Sequence, residues 1–75
     1  MIMPSKHVRP SHSLLGAAAL LWDSLEAPQT ISELWERSRL EHAIGSFDRF
    51  ILSLDLLFFL RLVSLEDGLL ERVAA

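Results

Sequence analysis

The sequence predicts a mostly helical α+β domain: three helices followed by a two-stranded β-hairpin. Three observations lead there. Within Ser46–Leu60, residues Phe47, Phe50, Ile51, Leu54, Leu57 and Phe58 recur at three- and four-residue spacing and make one broad apolar face of a helix. After it the period changes: Leu62–Leu65 and Leu69–Val73 flank Asp67-Gly68, the dipeptide that supplies positive φ at both central positions of a type I′ hairpin turn. Two shorter periodic segments, 13–26 and 30–40, precede the long one. Helix, helix, helix, hairpin is the order of a winged helix-turn-helix. It would occupy residues 13–75, behind an extended arm at 1–12.

Each element has its own local reason. In the arm, Pro4 and Pro10 push the residues before them towards extended conformations and no helical period develops, so spacing alone favours a disordered arm over an extended docking segment anchored by Ile2, Met3 and Val8. Ser13 can cap the first helix, where Leu14, Ala18, Leu21 and Leu25 form a stripe widened by Leu15 and Trp22. Gly16 and Ala17–Ala19 keep one side narrow, and Ala27-Pro28-Gln29 breaks the helix. Thr30-Ile31-Ser32-Glu33 matches a capping box at the start of the second helix, which buries Ile31, Leu34 and Trp35, with Ser38 beside them. Ser46 caps the third helix, and Asp48 in its first turn suits the positive end of the helix dipole. In the hairpin, Leu65 should pair with Leu70 and Val63 with Arg72, which puts Val63, Leu65 and Leu70 on the face turned to the helix.

Composition narrows the function. The chain has 75 residues, 51% of them hydrophobic, more apolar side chain than so small a core can hide, so part of it is expected to face a partner. There is no cysteine, hence no disulfide and no thiolate metal site, in keeping with a cytoplasmic location. The longest uncharged apolar run, Ser13–Trp22, is about half of what a membrane span needs. A secretory signal is disfavoured, because Leu25 stands where cleavage after Ala27 would want a small residue.

Net charge is −3, unevenly spread. The arm carries Lys6 and Arg9, with His7 and His12 and no acid, while the remainder has five arginines against ten acids. A DNA-reading third helix asks for Arg, Lys, Asn or Gln on its exposed side. Here the polar positions are Asp48, Arg49, Ser53 and Asp55, and the hairpin tip is Glu66-Asp67-Gly68, so the isolated chain is not expected to bind DNA. Leu52, Leu56 and Phe59 fall outside the main stripe and, with Phe58 and Leu60, make the end of this helix apolar nearly all round; either the first two helices and the hairpin cover all of it, or a partner chain supplies the second cover.

Catalysis has little to stand on. There is no Gly-rich phosphate loop, no nucleophilic cysteine and no cluster at metal-ligand spacing, so neither cofactor nor metal is expected. Asp48 and Asp55 lie two turns apart on one side of the third helix, but nothing suggests a cleft between them. His42 stands alone, and Trp35, which could stack on a base, sits in a core stripe.

Pro4-Ser5-Lys6-His7, Leu34-Trp35, Ser46-Phe47-Asp48, Leu54-Asp55-Leu56-Leu57-Phe58 and Asp67-Gly68-Leu69-Leu70, in this order and spacing, resemble the small middle component of bacterial ABC three-component conflict systems, anti-phage modules of the Lamassu-like kind. The resemblance covers almost the whole chain. It departs at Arg61, where the pattern has Gly, the easiest residue for a left-handed helix cap; with Arg61 the helix should close another way.

The resemblance implies a non-catalytic adaptor between an SMC- or Rad50-like ABC ATPase and an effector such as a nuclease, both encoded nearby. It turns the arm into a docking segment through Pro4, Lys6, His7 and Pro10; with Ile2, an apolar anchor of the arm, and Leu56 and Phe59, off the core stripe of the third helix, these are the expected partner-binding residues. Two other functions fit the residues: a small winged-helix repressor that dimerises through its third helix and gathers Arg37, Arg39 and Arg49 on one side, and an antitoxin-like protein whose acidic surface neutralises a basic toxin.

Overall fold

The caps predicted from sequence are where the helices begin. A computed structural model describes residues 13–73 of the chain. Helix α1 spans Leu14–Ser24, α2 Ile31–Ser38 and α3 Phe47–Phe59, and strands β1 (Val63–Glu66) and β2 (Leu69–Arg72) follow. Ser13 Oγ accepts from the Gly16 N–H and Ser46 Oγ from the Arg49 N–H. At Thr30 the capping box is complete: Thr30 Oγ1 accepts from the Glu33 N–H, and the Glu33 carboxylate accepts from the Thr30 N–H. Each bond satisfies a donor that a helix start otherwise leaves orphaned.

α1 packs on α3, α2 closes one flank, and the hairpin lies against the far end of α3. Phe50, Leu54 and Leu57 of α3 meet Ala17, Ala18, Leu21 and Leu25, with Leu34, Ala43, Ile44, Val63 and Leu70 completing the core. The small Ala17 and Ala18 let the two helices approach closely. Leu14 and Leu15, expected on the buried stripe of α1, are exposed, because that stripe centres on Ala17, Ala18 and Leu21 instead. Phe47, also expected inside, is 51% exposed: it sits in the first turn of α3 and reaches only the rim, edge-on to Trp35 at 5.2 Å between ring centroids. Trp35 meets Phe50 as well, at 5.3 Å, so it is a packing residue rather than a stacking platform.

Ser53 is buried and not one of the polar outward positions. Its hydroxyl donates to the Arg49 carbonyl, and that of Ser38 likewise donates to the Leu34 carbonyl, so a buried Ser is satisfied by its own helix. The hairpin has the expected register, Val63 opposite Arg72 and Leu65 opposite Leu70, with positive φ at Asp67 (52°) and Gly68 (79°). Val63 and Leu70 are buried, but Leu65 is 46% exposed. Beside β2 runs a bridge that the sequence did not reveal. The Gln29 N–H donates to the Leu70 carbonyl at 3.1 Å, and the Leu70 N–H to the Gln29 carbonyl at 2.7 Å. β2 is therefore paired on both sides at Leu70, while Leu65 lies on β1 two residues beyond buried Val63, towards the turn.

The end of α3 corrects another expectation. Arg61 itself adopts φ 61°, the Leu62 N–H donates to the Leu57 carbonyl at 2.9 Å, and the Arg61 N–H to the Phe58 carbonyl at 3.0 Å. This is a full Schellman closure around a left-handed residue, the route that Gly would take, followed here by Arg. The observed order of helices and hairpin has the layout of a winged helix.

Candidate functional site

The exposed side of α3 is built by simple helical spacing. Asp48, Leu52, Asp55 and Phe59 are all exposed and stand four, three and four residues apart, so they line one side of the helix. Phe59 is 81% and Leu52 55% exposed, whereas the opposite side buries Phe50, Ser53, Leu54 and Leu57. Leu56 is half-buried at the margin, and Leu60 extends the apolar surface past the helix end. A depression of about 410 Å³ lined by Phe47, Asp48, Ile51 and Leu52 lies at the start of this face. Of the residues expected to bind partners, Phe59 stands on this face and Leu56, packed partly against the core, lies at its margin. Ile2, Pro4, Lys6, His7 and Pro10 lie outside the described residues.

Two arginines, Arg49 and Arg72, are turned to main-chain carbonyls, while Arg61 is exposed just past the helix end. Arg49 Nε donates to the Ala43 carbonyl at 2.6 Å, closing the loop before α3. Arg72 is turned to the C-terminal end of α1: Nε donates to the Trp22 carbonyl at 2.9 Å and Nη2 to the Asp23 carbonyl at 3.1 Å, while the guanidinium lies 4.0 Å from the Trp22 ring centre. There a positive group meets the last carbonyls and the negative dipole end of α1. Arg39 pairs with Glu36 at 3.4 Å on the surface of α2. In a DNA-binding winged helix the outward side of the third helix enters the major groove. Here that side carries two carboxylates and two large apolar groups.

A larger open depression, about 520 Å³, borders α2 and is lined by Ala27, Pro28, Gln29, Ser32, Glu33, Glu36 and Arg37. Several of its polar groups are already engaged. Gln29 Nε2 donates to the Ser24 carbonyl, Glu33 completes the capping box, and Glu36 pairs with Arg39. Among the described residues no group of three His, Asp or Glu could hold a metal ion, and no described helix is long and apolar enough to cross a membrane.

The model of the ABC-three component system Middle Component 6 family matches residues 3–73. The chain belongs to this family. No curated protein and no solved structure matches it. Membership as a middle component places the chain in a system with further components. Sequence reasoning set Leu52 off the core stripe and placed Asp48 and Asp55 on one side of the helix without joining them into one face, although the four–three–four spacing was there to be read.

Proposed function

We propose that this middle component is a non-catalytic adaptor of a bacterial anti-phage complex. It links an SMC- or Rad50-like ABC ATPase to an effector such as a nuclease through protein–protein contacts. One observation carries the proposal. The α3 side that a DNA reader would present to the duplex displays Asp48, Leu52, Asp55 and Phe59, while Arg49 and Arg72 are directed at main-chain carbonyls. Such a surface repels phosphate and invites another protein. The family assignment supports membership of a multi-component system. The N-terminal residues Ile2, Pro4, Lys6, His7 and Pro10 are a second contact, basic where the body is acidic.

Co-expression with the neighbouring ATPase and effector genes tests this directly. The tagged chain is expected to recover both proteins through size-exclusion chromatography, and deletion of residues 1–10 is expected to lose at least one of them. Elution of the chain alone, as a dimer that shifts promoter DNA, would replace the adaptor with a repressor.

A further inference from the structure

The α3 face has a chemistry that selects its occupant. Its ridge alternates charge and hydrocarbon: Asp48, Leu52, Asp55, Phe59. The two carboxylates are seven residues apart, roughly 10.5 Å along a helix that rises about 1.5 Å per residue. Between and beyond them stand Leu52 and Phe59, and the depression formed by Phe47, Asp48, Ile51 and Leu52 opens beside the first carboxylate. We infer that this face docks a basic amphipathic helix of a partner subunit. In that docking, Lys or Arg side chains seven residues apart pair with Asp48 and Asp55, and an aliphatic side chain fills the depression beside Leu52. The inference rests on the adaptor function above and names the chemistry of one of its partners.

Charge decides between this occupant and the others. A second copy meeting the same face would set its own Asp48 and Asp55 against this pair, and the ridge itself carries no cation. The nearest arginine on the helix, Arg49, is bound to the Ala43 carbonyl, and the described residues contain no lysine. Nucleic acid and anionic lipid are repelled for the same reason. A partner that supplies its own cations gains twice, from the pairs and from covering Leu52 and Phe59. Shape decides for a helix over a strand. A second helix can lie along a convex helical ridge and keep a seven-residue repeat in step with it.

The test is capture of the co-expressed partner subunits by the full chain at a series of salt concentrations, with the double variants Asp48→Asn/Asp55→Asn, Asp48→Lys/Asp55→Lys and Leu52→Ser/Phe59→Ser. Glu36→Gln/Glu66→Gln, on other surfaces, is the control. Circular dichroism melts of each variant alone confirm the fold. The Asn variant should weaken capture by about tenfold or more near 0.05 M salt and by much less near 0.5 M, because ion pairs at a rim are screened within a Debye length. The Lys and Ser variants should lose capture and the control should not. Carbodiimide cross-linking of the wild-type complex should join Asp48 or Asp55 to lysines of a basic amphipathic segment.

Capture by the Asn and Lys variants equal to wild type at every salt concentration would overturn the docking site while leaving the adaptor function standing. The docking site also falls if capture survives Asp48→Lys/Asp55→Lys but fails with Lys6→Glu/Arg9→Glu, since the arm alone would then hold the partner. Recovery of no partner by the wild-type chain would overturn both.

Discussion

Arg72 of β2 lies over Trp22 of α1, its guanidinium carbon 4.0 Å from the ring centre, while Trp22 Nε1 donates to the Leu62 carbonyl at 3.2 Å. Two side chains far apart in sequence thus tie the hairpin to the end of the first helix from both directions. Replacing Arg72 by Ala removes a cation–π contact and two hydrogen bonds to helix-end carbonyls. The site is partly solvated, so the expected loss is about 1–2 kcal/mol in urea denaturation. Arg72→Lys should recover only a fraction, because one ammonium cannot span both carbonyls and stack as well.

Arg61 offers the opposite sign. Its left-handed φ of 61° costs an L-residue roughly 1–2 kcal/mol that Gly does not incur, offset in part by the greater freedom Gly has when unfolded. Arg61→Gly should therefore stabilise the domain by about 0.5–1 kcal/mol, a rise of roughly 2–8 °C in Tm for a chain of this size. Scanning calorimetry reads it. A fall in Tm would mean that the Arg61 side chain contributes more than its backbone costs.

Phe50 is the largest fully buried side chain among the described residues and touches both Trp35 and Phe47. Phe50→Ala should cost about 3–5 kcal/mol, comparable to the whole stability of so small a domain, and leave it unfolded at 37 °C by near-ultraviolet circular dichroism. Ser53→Ala, equally buried, should be within about 0.5 kcal/mol of neutral, since it removes a hydroxyl bonded to its own helix and leaves no stranded donor.

With Arg49 and Arg72 engaged and its third helix acidic, the isolated chain should not raise the fluorescence anisotropy of duplex DNA at physiological salt below roughly 100 μM, the weak end of non-specific binding. Tight, salt-sensitive binding would restore the repressor.

Features set by neighbouring residues were legible in the sequence. Ser13, Thr30 and Ser46 cap because a side-chain oxygen finds an N–H within one turn, and Asp67-Gly68 turns because both accept positive φ. What depends on distant partners was not. Nothing in Ala27-Pro28-Gln29 announces the bridge to Leu70, and nothing local sends Arg72 to Trp22. Periodicity also misplaced Ser53, because it scores a hydroxyl as outward without asking whether the helix can satisfy it. At the candidate site, Leu56 and Phe59 could be singled out because they fall off the core stripe, but the pairing of Leu52 with the aspartates emerged only when exposure was resolved residue by residue.

The bridge between Gln29 and Leu70 has a bearing on how the molecule opens. It fastens the segment after α1 to the last strand, so α2, α3 and β1 are strung on a loop of chain whose two ends are joined by a reciprocal pair of main-chain bonds. Neither end can be released without breaking both bonds and uncovering Leu70. Fraying of the hairpin is thus coupled to loss of the whole loop, and the Gln29 and Leu70 amides should exchange their hydrogens together, at the rate of global unfolding.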